Sequence, residues 1–433
     1  MKPAARVGLV LLSAVLLLLA LVGLLTLTRG TPVRMVLALG DRDGPPPVTD
    51  SLFARTMELY TGVHIEPGNR VEELLNGNGT YPRLWRDIAS AQQTITVQMY
   101  YALPSSVADT LQRYLMERAR AKVRVLLLLD AFGSQDLPEE WRDSLRAAGV
   151  HVSMLRKLRW YSLHSASDRS HVRAVVIDGR IGYTGGFGLA DYWLGDGRHD
   201  EQWRETNVRF EGPAVAQLQA AFAAAWAEGN GELLTGDLFF PRAIFHSAVG
   251  PTQAGLLFTA PTSGSTPAER FLALSIAGAR TTLYITNSYF VPDDDFRALL
   301  TRAAKRGVDV RVLTAGPKTD VKVTWYAGRA RYEELLRAGV RIYEYIPTMM
   351  HAKSMVVDGL WSTIGSMNFD NRSLAFNNES NLVMLDAALG AQMQRTFIDD
   401  LAYAKEIRLE EFRRRRWTRK VLERGASLLS RLL

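Results

Sequence analysis

The sequence predicts an α/β fold built from two tandem halves, each a central mixed or parallel β-sheet flanked by helices, behind an N-terminal membrane helix. Three observations predict it. The chain repeats itself: TITVQMYYALP (94–104) parallels TLYITNSYFVP (282–292), KVRVLLL (122–128) parallels DVRVLTA (309–315), and LRAAGVHV (145–152) parallels LRAGVRI (336–342). Self-similarity over such a length marks a duplicated structural unit. Within each copy, short β-branched runs alternate with Arg- and Ala-rich stretches of helical period, the rhythm of βα units. Finally, residues 7–27 are uncharged and mostly apolar, and a helix of twenty-one residues spans a bilayer core of about 30 Å.

The elements follow in order. The segment 7–28 reads as a retained anchor, because a cleaved signal peptide carries a shorter apolar region, of roughly 7–15 residues, and a small-residue cleavage site. No such site follows here. Lys2 and Arg6 precede the span and Arg29 and Arg34 follow it, close to a tie under the positive-inside rule; the reading leans to an inside N-terminus. Residues 29–50 form a linker, since GDRDGPPPVTD cannot continue a helix through three prolines. The first half is expected over 51–235, starting with a turn-rich stretch and then a helix leading into the first strand. The second half is expected over 236–403. Residues 404–433 are expected to form a basic amphipathic helix: Arg413–Arg416, Arg419, Lys420 and Arg424 interleave with Phe412, Trp417, Val421, Leu422, Leu428, Leu429, Leu432 and Leu433 at three- and four-residue intervals. Such a helix suits an anionic membrane surface; the alternative is a helix packed on the domain with its charges in water.

Composition narrows the chemistry. The 433 residues suffice for two domains with substantial cores, and 47% hydrophobic with 9% aromatic residues is globular. The absence of Cys excludes disulfides, thiolate nucleophiles, thiolate metal sites and a lipoprotein anchor. The seven His show no i,i+3 or i,i+4 pairing, so no metal and no cofactor is expected. The net charge of +7 would suit nucleic acid, but no aromatic–basic stripe of the base-stacking kind is present, which disfavours that partner.

The chemistry is concentrated in HAKSMVVDGLWSTIGSMN (351–368). His351 and Lys353 fall on one face of an extended segment, Asp358 sits in a turn with Gly359, and Gly365, Ser366 and Asn368 end a second strand. An imidazole, a cation and small polar donors are what cleaving a phosphodiester requires: a group to attack or protonate, and positive charge for the phosphoryl oxygens. SHVRAVVIDGRIGYTGGFG repeats the spacing with His171, Arg173, Asp178, Gly185 and Gly186. It has Arg173 where the other copy has Lys, and Gly188 where the other has Asn. Arg keeps the charge and can bind phosphate bidentately. A carboxylate lies downstream of each copy, Glu205 in QWRETNVRF and Glu379 in FNNESNLVML.

The spacing His-x-Lys-x4-Asp-x6-Gly-Ser-x-Asn resembles the signature of the phospholipase D superfamily. The chain from about Thr61 to its end, with Gly68–Asn69 and the SYFVPDDDFRALL and FDNRSLAFNNESNLVML stretches, is similar in particular to bacterial cardiolipin synthases. Two such halves packed face to face would bring His171 and His351 into one cleft; the alternative, two separate single-site domains, is disfavoured because neither half carries a complete acid–base pair. The resemblance implies that one His attacks phosphorus while the other serves as acid and then base, with His171 the nucleophile by family precedent. Arg173 and Lys353 would hold phosphate, Glu205 and Glu379 would orient the imidazoles, and Ser366, Asn368, Gly185 and Gly186 would shape the substrate site. Asp178 and Asp358 read as turn-forming residues. The activity so implied is transfer of a phosphatidyl group between phospholipids, phosphatidylglycerol among them, by a single-pass protein of the bacterial inner membrane. Hydrolytic release of phosphatidic acid is the alternative; a nuclease or a degenerate lipid-binding scaffold fits less well, because of the anchor and the retention of both His.

Overall fold

The computed structural model describes residues 12–18, 20–21, 33–37, 45–157, 169–245, 248–262 and 264–430. Residues 12–18 and 20–21 are helical and exposed, and the rest of the expected anchor lies outside the described residues. Among the described residues no helix is long and apolar enough to cross a membrane.

The first repeat runs α1 (Ser51–Thr61), β1 (Glu66–Leu75), α2 (Asn76–Ser90), β2 (Thr94–Met99), α3 (Ser106–Arg120) and β3 (Arg124–Asp130). It continues through α4 (Glu139–Ala147), β4 (His151–Leu155), β5 (Ala174–Ile177), β6 (Ile181–Gly185) and β7 (Thr206–Glu211). The first ends with α5 (Ala214–Asn230), packed on β4 and β5, and the second runs β8 (Thr252–Thr259), α6 (Pro267–Gly278), β9 (Thr282–Asn287), α7 (Asp294–Lys305) and β10 (Asp309–Ala315). It continues through α8 (Lys322–Arg337), β11 (Arg341–Tyr345), β12 (Lys353–Val357), β13 (Trp361–Gly365), α9 (Asn371–Ala375) and β14 (Glu379–Leu385). After it come α10 (Ala387–Leu401), β15 (Ala404–Glu406), α11 (Leu409–Arg413) and α12 (Trp417–Ser427).

The strand orders match between repeats: β4-β3-β2-β5-β6-β7-β1 in the first, β11-β10-β9-β12-β13-β14-β8 in the second. In each, the three strands at one end are parallel and the rest antiparallel. β2 is buried at every position, as expected of a parallel-sheet strand covered on both faces. One apolar core lies under α2–α4, another under α6–α8, and a third joins residues of both repeats, such as Val176 and Phe210 with Ile364 and Met384.

Three segments differ from the sequence reading. VEELL, read as part of a turn-rich stretch, belongs to β1, which pairs with β7 on one side and β8 on the other and so joins the two sheets. Its environment is set by long-range pairing, which local pattern does not carry. α1, expected in the first half, packs on the second: Phe53 and Met57 share a core with Phe271 and Ile276, and the Phe53 ring stands edge-on to Trp361 at 5.1 Å. The segment 404–433, expected as one helix, instead starts with β15, which pairs with β11, and then breaks into α11 and α12.

The two hairpins that carry the motifs close alike. Asp178 and Gly179 have φ of 52° and 62°, and Asp358 and Gly359 have 51° and 64°, the left-handed pairs a tight hairpin reversal needs. Asp178 accepts hydrogen bonds from the backbone N–H groups of Gln92, Gln93 and Thr94, and Asp358 from those of Arg280, Thr281 and Thr282. Each thus ties its hairpin to the start of the neighbouring parallel strand, at the opposite end of β5 or β12 from the histidine. Replacing Asp358 by Ala leaves three N–H groups without this acceptor and should lower the unfolding free energy by about 1–3 kcal/mol. Denaturant titration measures this; turnover at 25 °C should be retained, and loss of turnover at unchanged stability would contradict the structural role.

Candidate active site

The two histidines sit just before β5 and β12, and the two glutamates at the starts of the strands that end each motif region. Their backbones are stitched across the repeats. The His171 N–H donates to the Asn378 carbonyl at 2.9 Å, and the His351 N–H to the Arg204 carbonyl at 2.7 Å. Asn378 and Arg204 immediately precede Glu379 and Glu205, so each bond brings a histidine to the other repeat's carboxylate. His171 Nδ1 lies 3.0 Å from Glu379 Oε2, and His351 Nδ1 lies 2.5 Å from Glu205 Oε2. The acid–orienter pairs are therefore crossed: neither repeat holds a complete one.

Each carboxylate is fully buried and held on further sides. Glu205 accepts from the Thr206 N–H at 3.0 Å and from Trp193 Nε1 at 3.2 Å. Glu379 accepts from Ser366 Oγ at 2.6 Å and from Asn377 Nδ2 at 3.2 Å. With the carboxylates facing Nδ1, the neutral imidazoles carry their proton there, leaving Nε2 for attack or proton transfer. Burial pushes His171 down to about 4, Arg173 adding to the effect and Glu379 opposing it. Burial also holds His351 well below the usual histidine range, with Lys353 and Arg173 contributing. Burial raises Glu205 against the pull of Lys353. For Glu379 burial again pushes upward, but the charge and hydrogen bond of His171, with that of Ser366, outweigh it and the carboxyl lies below its ordinary value.

The cations occupy corresponding places with different partners. Lys353 donates to Ser288 Oγ at 2.8 Å and to the His351 carbonyl, and burial pushes its ammonium down to about 7. Arg173 donates to the His171 carbonyl at 2.8 Å and to the Phe187 carbonyl at 3.3 Å. Its guanidinium lies 5.5 Å from the ring of Tyr100, which occupies the position in its repeat that Ser288 holds in the other. Arg with a ring in one half stands where Lys with a hydroxyl stands in the other.

A cleft of about 500 Å³ collects His171, His351, Arg173, Asn368, Asp320, Asp370, Arg372, Ser373 and Asn377 beside an aromatic wall. Tyr100, Tyr101, Tyr192, Trp193, Trp203 and Tyr289 form that wall. Asn368, expected to bind substrate, is in the cleft lining. Ser366, Gly185 and Gly186, expected in the same role, are not. The Ser366 hydroxyl is engaged by Glu379, a Cβ on Gly185 would meet Asn207, and one on Gly186 would meet the Glu205 carboxylate at 2.4 Å. Lys353 is not among the residues lining this cleft; it lines a small cavity that shares Asn368 with it.

Sequence reasoning missed Trp193, Asn207 and Ser288. A Cβ at Gly188 would strike the Trp193 ring at 2.6 Å, so the indole fills the volume that Asn368 fills in the second half. It also supplies to Glu205 the hydrogen bond that Ser366 supplies to Glu379. Asn207 Oδ1 accepts from the N–H groups of Gly186 and Phe187, and Asn381 Oδ1 from that of Met367. The repeated Glu-x-Asn at 205–207 and 379–381 was a readable signal for that pair; nothing local pointed to Trp193.

Comparisons with known proteins identify what the chain is similar to. The family described as cardiolipin synthase, PLD-like domain, matches residues 84–226 and 272–401, more than half of the chain. A cardiolipin synthase of Geobacillus kaustophilus (strain HTA426) is 35% identical over 362 residues, covering 83% of this chain and 72% of that one. Cardiolipin synthase A of Pseudomonas putida (strain GB-1) is 32% identical over 409 residues, covering 92% and 84%. Among solved structures, phosphatidylserine synthase of Haemophilus influenzae Rd KW20 superposes with a TM-score of 0.66 at 12% identity, covering 88% of this chain and all of that one. Polyphosphate kinase of Porphyromonas gingivalis superposes at 0.53 and 13% identity, covering 86% of this chain and 53% of that one, a likeness of fold. With two repeats closing one histidine cleft and relatives of this identity over most of its length, the chain belongs to the cardiolipin synthase family of phospholipase D-superfamily phosphatidyltransferases.

Proposed function

We propose that the protein makes cardiolipin by moving a phosphatidyl group from one phosphatidylglycerol to another at an anionic membrane. The crossed His–Glu pairs carry the reading, because they give one cleft two separately oriented imidazoles, one to attack and one to move protons. His171 Nε2 attacks the phosphorus of the donor, and His351 in its minor, doubly protonated form, supported at Nδ1 by Glu205, gives its Nε2 proton to the departing glycerol oxygen. The phosphatidyl group is then held on His171 by a phosphorus–nitrogen bond. His351, now neutral, takes the proton from a glycerol hydroxyl of the acceptor, whose oxygen attacks phosphorus and frees His171. Arg173, Lys353 and Asn368 offset charge on the phosphoryl oxygens in a site largely shielded from water. Glu205 and Glu379 hold the imidazoles and stabilise their charged forms. The aromatic wall gives the lipid an apolar face to lie on. Residues 7–28 serve as a single-pass anchor in the bacterial inner membrane, a role supported by their uncharged apolar run.

Incubating purified protein with phosphatidylglycerol should yield cardiolipin and free glycerol in equal amounts by mass spectrometry. Phosphatidic acid without cardiolipin would replace the transferase reading by the hydrolytic one.

The order of the histidines has its own test. His171→Ala and His351→Ala should each reduce turnover by about three orders of magnitude or more, with the double variant little worse, since the two act as a unit. Alkaline quenching of His351→Ala with substrate should retain a phosphatidyl adduct on the peptide carrying His171, while His171→Ala should carry none. An adduct on His351 instead would reverse the roles.

The basic limb of the pH profile should belong to Lys353. With its ammonium pushed down to about 7, the free enzyme carries this charge below that pH and loses it above, so kcat/KM should fall as pH rises through 7. Lys353→Arg keeps the charge and should move the limb to higher pH; a limb that stays in place would assign it to another group.

A further inference from the structure

α12 is an amphipathic helix mounted with its charge inward. Glu423, 1% exposed, faces the domain, where it accepts from Arg329 Nε at 3.1 Å and Arg415 Nε at 2.7 Å. Arg329 also pairs with Glu344, so a buried network of four charged groups clamps the helix to α8. On the opposite face Trp417, Val421 and Leu428, spaced four and seven residues apart, point away from the protein, with Leu422 and Leu429 beside them. Trp417 is 74% exposed and Leu428 85%. An ordinary surface helix presents the reverse arrangement. Arg414, Arg416 and Arg424 stand exposed beside this apolar face, whereas the Arg419 guanidinium turns the other way, toward α8.

The mounting also fixes where the face lies. The Arg419 guanidinium is 5.6 Å from the ring of Trp325, and Glu423 meets Arg329, so α12 runs parallel to α8. The first turn of α8 is part of the cleft: Val321 and Thr324 line it. The Trp417 end of α12 is therefore the end nearest the cleft.

We propose that the outward face of α12 docks on the interfacial region of an anionic bilayer, seating the cleft at the lipid surface. Charge complementarity selects this occupant. A rim of arginines around exposed Trp, Val and Leu side chains matches a surface that is anionic at its headgroups and apolar just beneath them. A second copy of the chain would bring the arginine rims against each other. The proposal rests on the phospholipid-substrate reading for its effect on turnover; the depth of the helix in a membrane can be measured without it.

The chain lacks cysteine, so a single Cys introduced in the full-length protein is labelled uniquely. Leu428→Cys and, as a control, Glu411→Cys would carry an environment-sensitive fluorophore in protein reconstituted into vesicles. The vesicles would be phosphatidylcholine alone or with about one-third phosphatidylserine. The label at 428 should shift to the blue and be quenched several-fold by lipids bearing a nitroxide in the acyl chain, more strongly in the anionic vesicles; the label at 411 should remain water-like. In parallel, Val421→Asp with Leu428→Asp should raise KM about ten-fold for long-chain phosphatidylglycerol in vesicles and leave kcat/KM for monomeric short-chain lipid unchanged. A label at 428 that stays water-like in both vesicles overturns the proposal, as does close 428–428 spacing between two copies by spin labelling. Absence of turnover of either lipid by the unaltered protein would count against the lipid-substrate reading and leave the fluorescence test of docking standing.

Discussion

The organisation of this protein depends on two buried carboxylates, each reaching across from one repeat to the histidine of the other. A glutamate at zero exposure is tolerable only where its lone pairs are satisfied, because an unpaired buried charge costs several kcal/mol. Glu205 finds its partners in Trp193, the Thr206 N–H and His351; Glu379 finds them in Ser366, Asn377 and His171. Separating the repeats would strand both. The apolar layer they share and the pairing of β1 with β8 hold the arrangement together, so the cleft and the interface between repeats are one structure.

The approximate symmetry ends at the cleft. Lys353 with Ser288 faces Arg173 with Tyr100 at equivalent positions, and each cation donates to the carbonyl of its own histidine. A ring that accepts a planar guanidinium on its face suits Arg, whereas a compact ammonium suits a hydroxyl. The glycines at 186 and 188 are likewise half of an exchange. The volume and hydrogen bond that Ser366 and Asn368 give the second half come in the first from one indole, Trp193. The consequence is a cleft with an aromatic side and a polar side, which two identical halves could not provide.

The periphery has a similar logic of charge placement. The Glu423–Arg329–Glu344–Arg415 network lies at the base of α12, where a soluble helix would carry leucines, and the leucines lie outside. A buried network of this kind contributes little net stability against apolar packing but fixes orientation, since a rotated helix would leave those charges unpaired.

Much of this was legible in the sequence. The repeats, the alternation of strand and helix, the spacing of His171 with Arg173 and of His351 with Lys353, and the paired Glu residues all depend on local pattern, and local pattern is what a linear sequence displays. The tertiary structure alone decided which glutamate serves which histidine, because that pairing spans 208 residues in one case and 146 in the other. It alone placed α1 on the second repeat and VEELL in the seam strand, since both are set by distant partners. It also turned Gly188 from a lost side chain into the space for Trp193, and it set which face of α12 looks outward. Periodicity tells that a helix has an apolar face; only the packing of Glu423 against Arg329 and Arg415 determines where that face points.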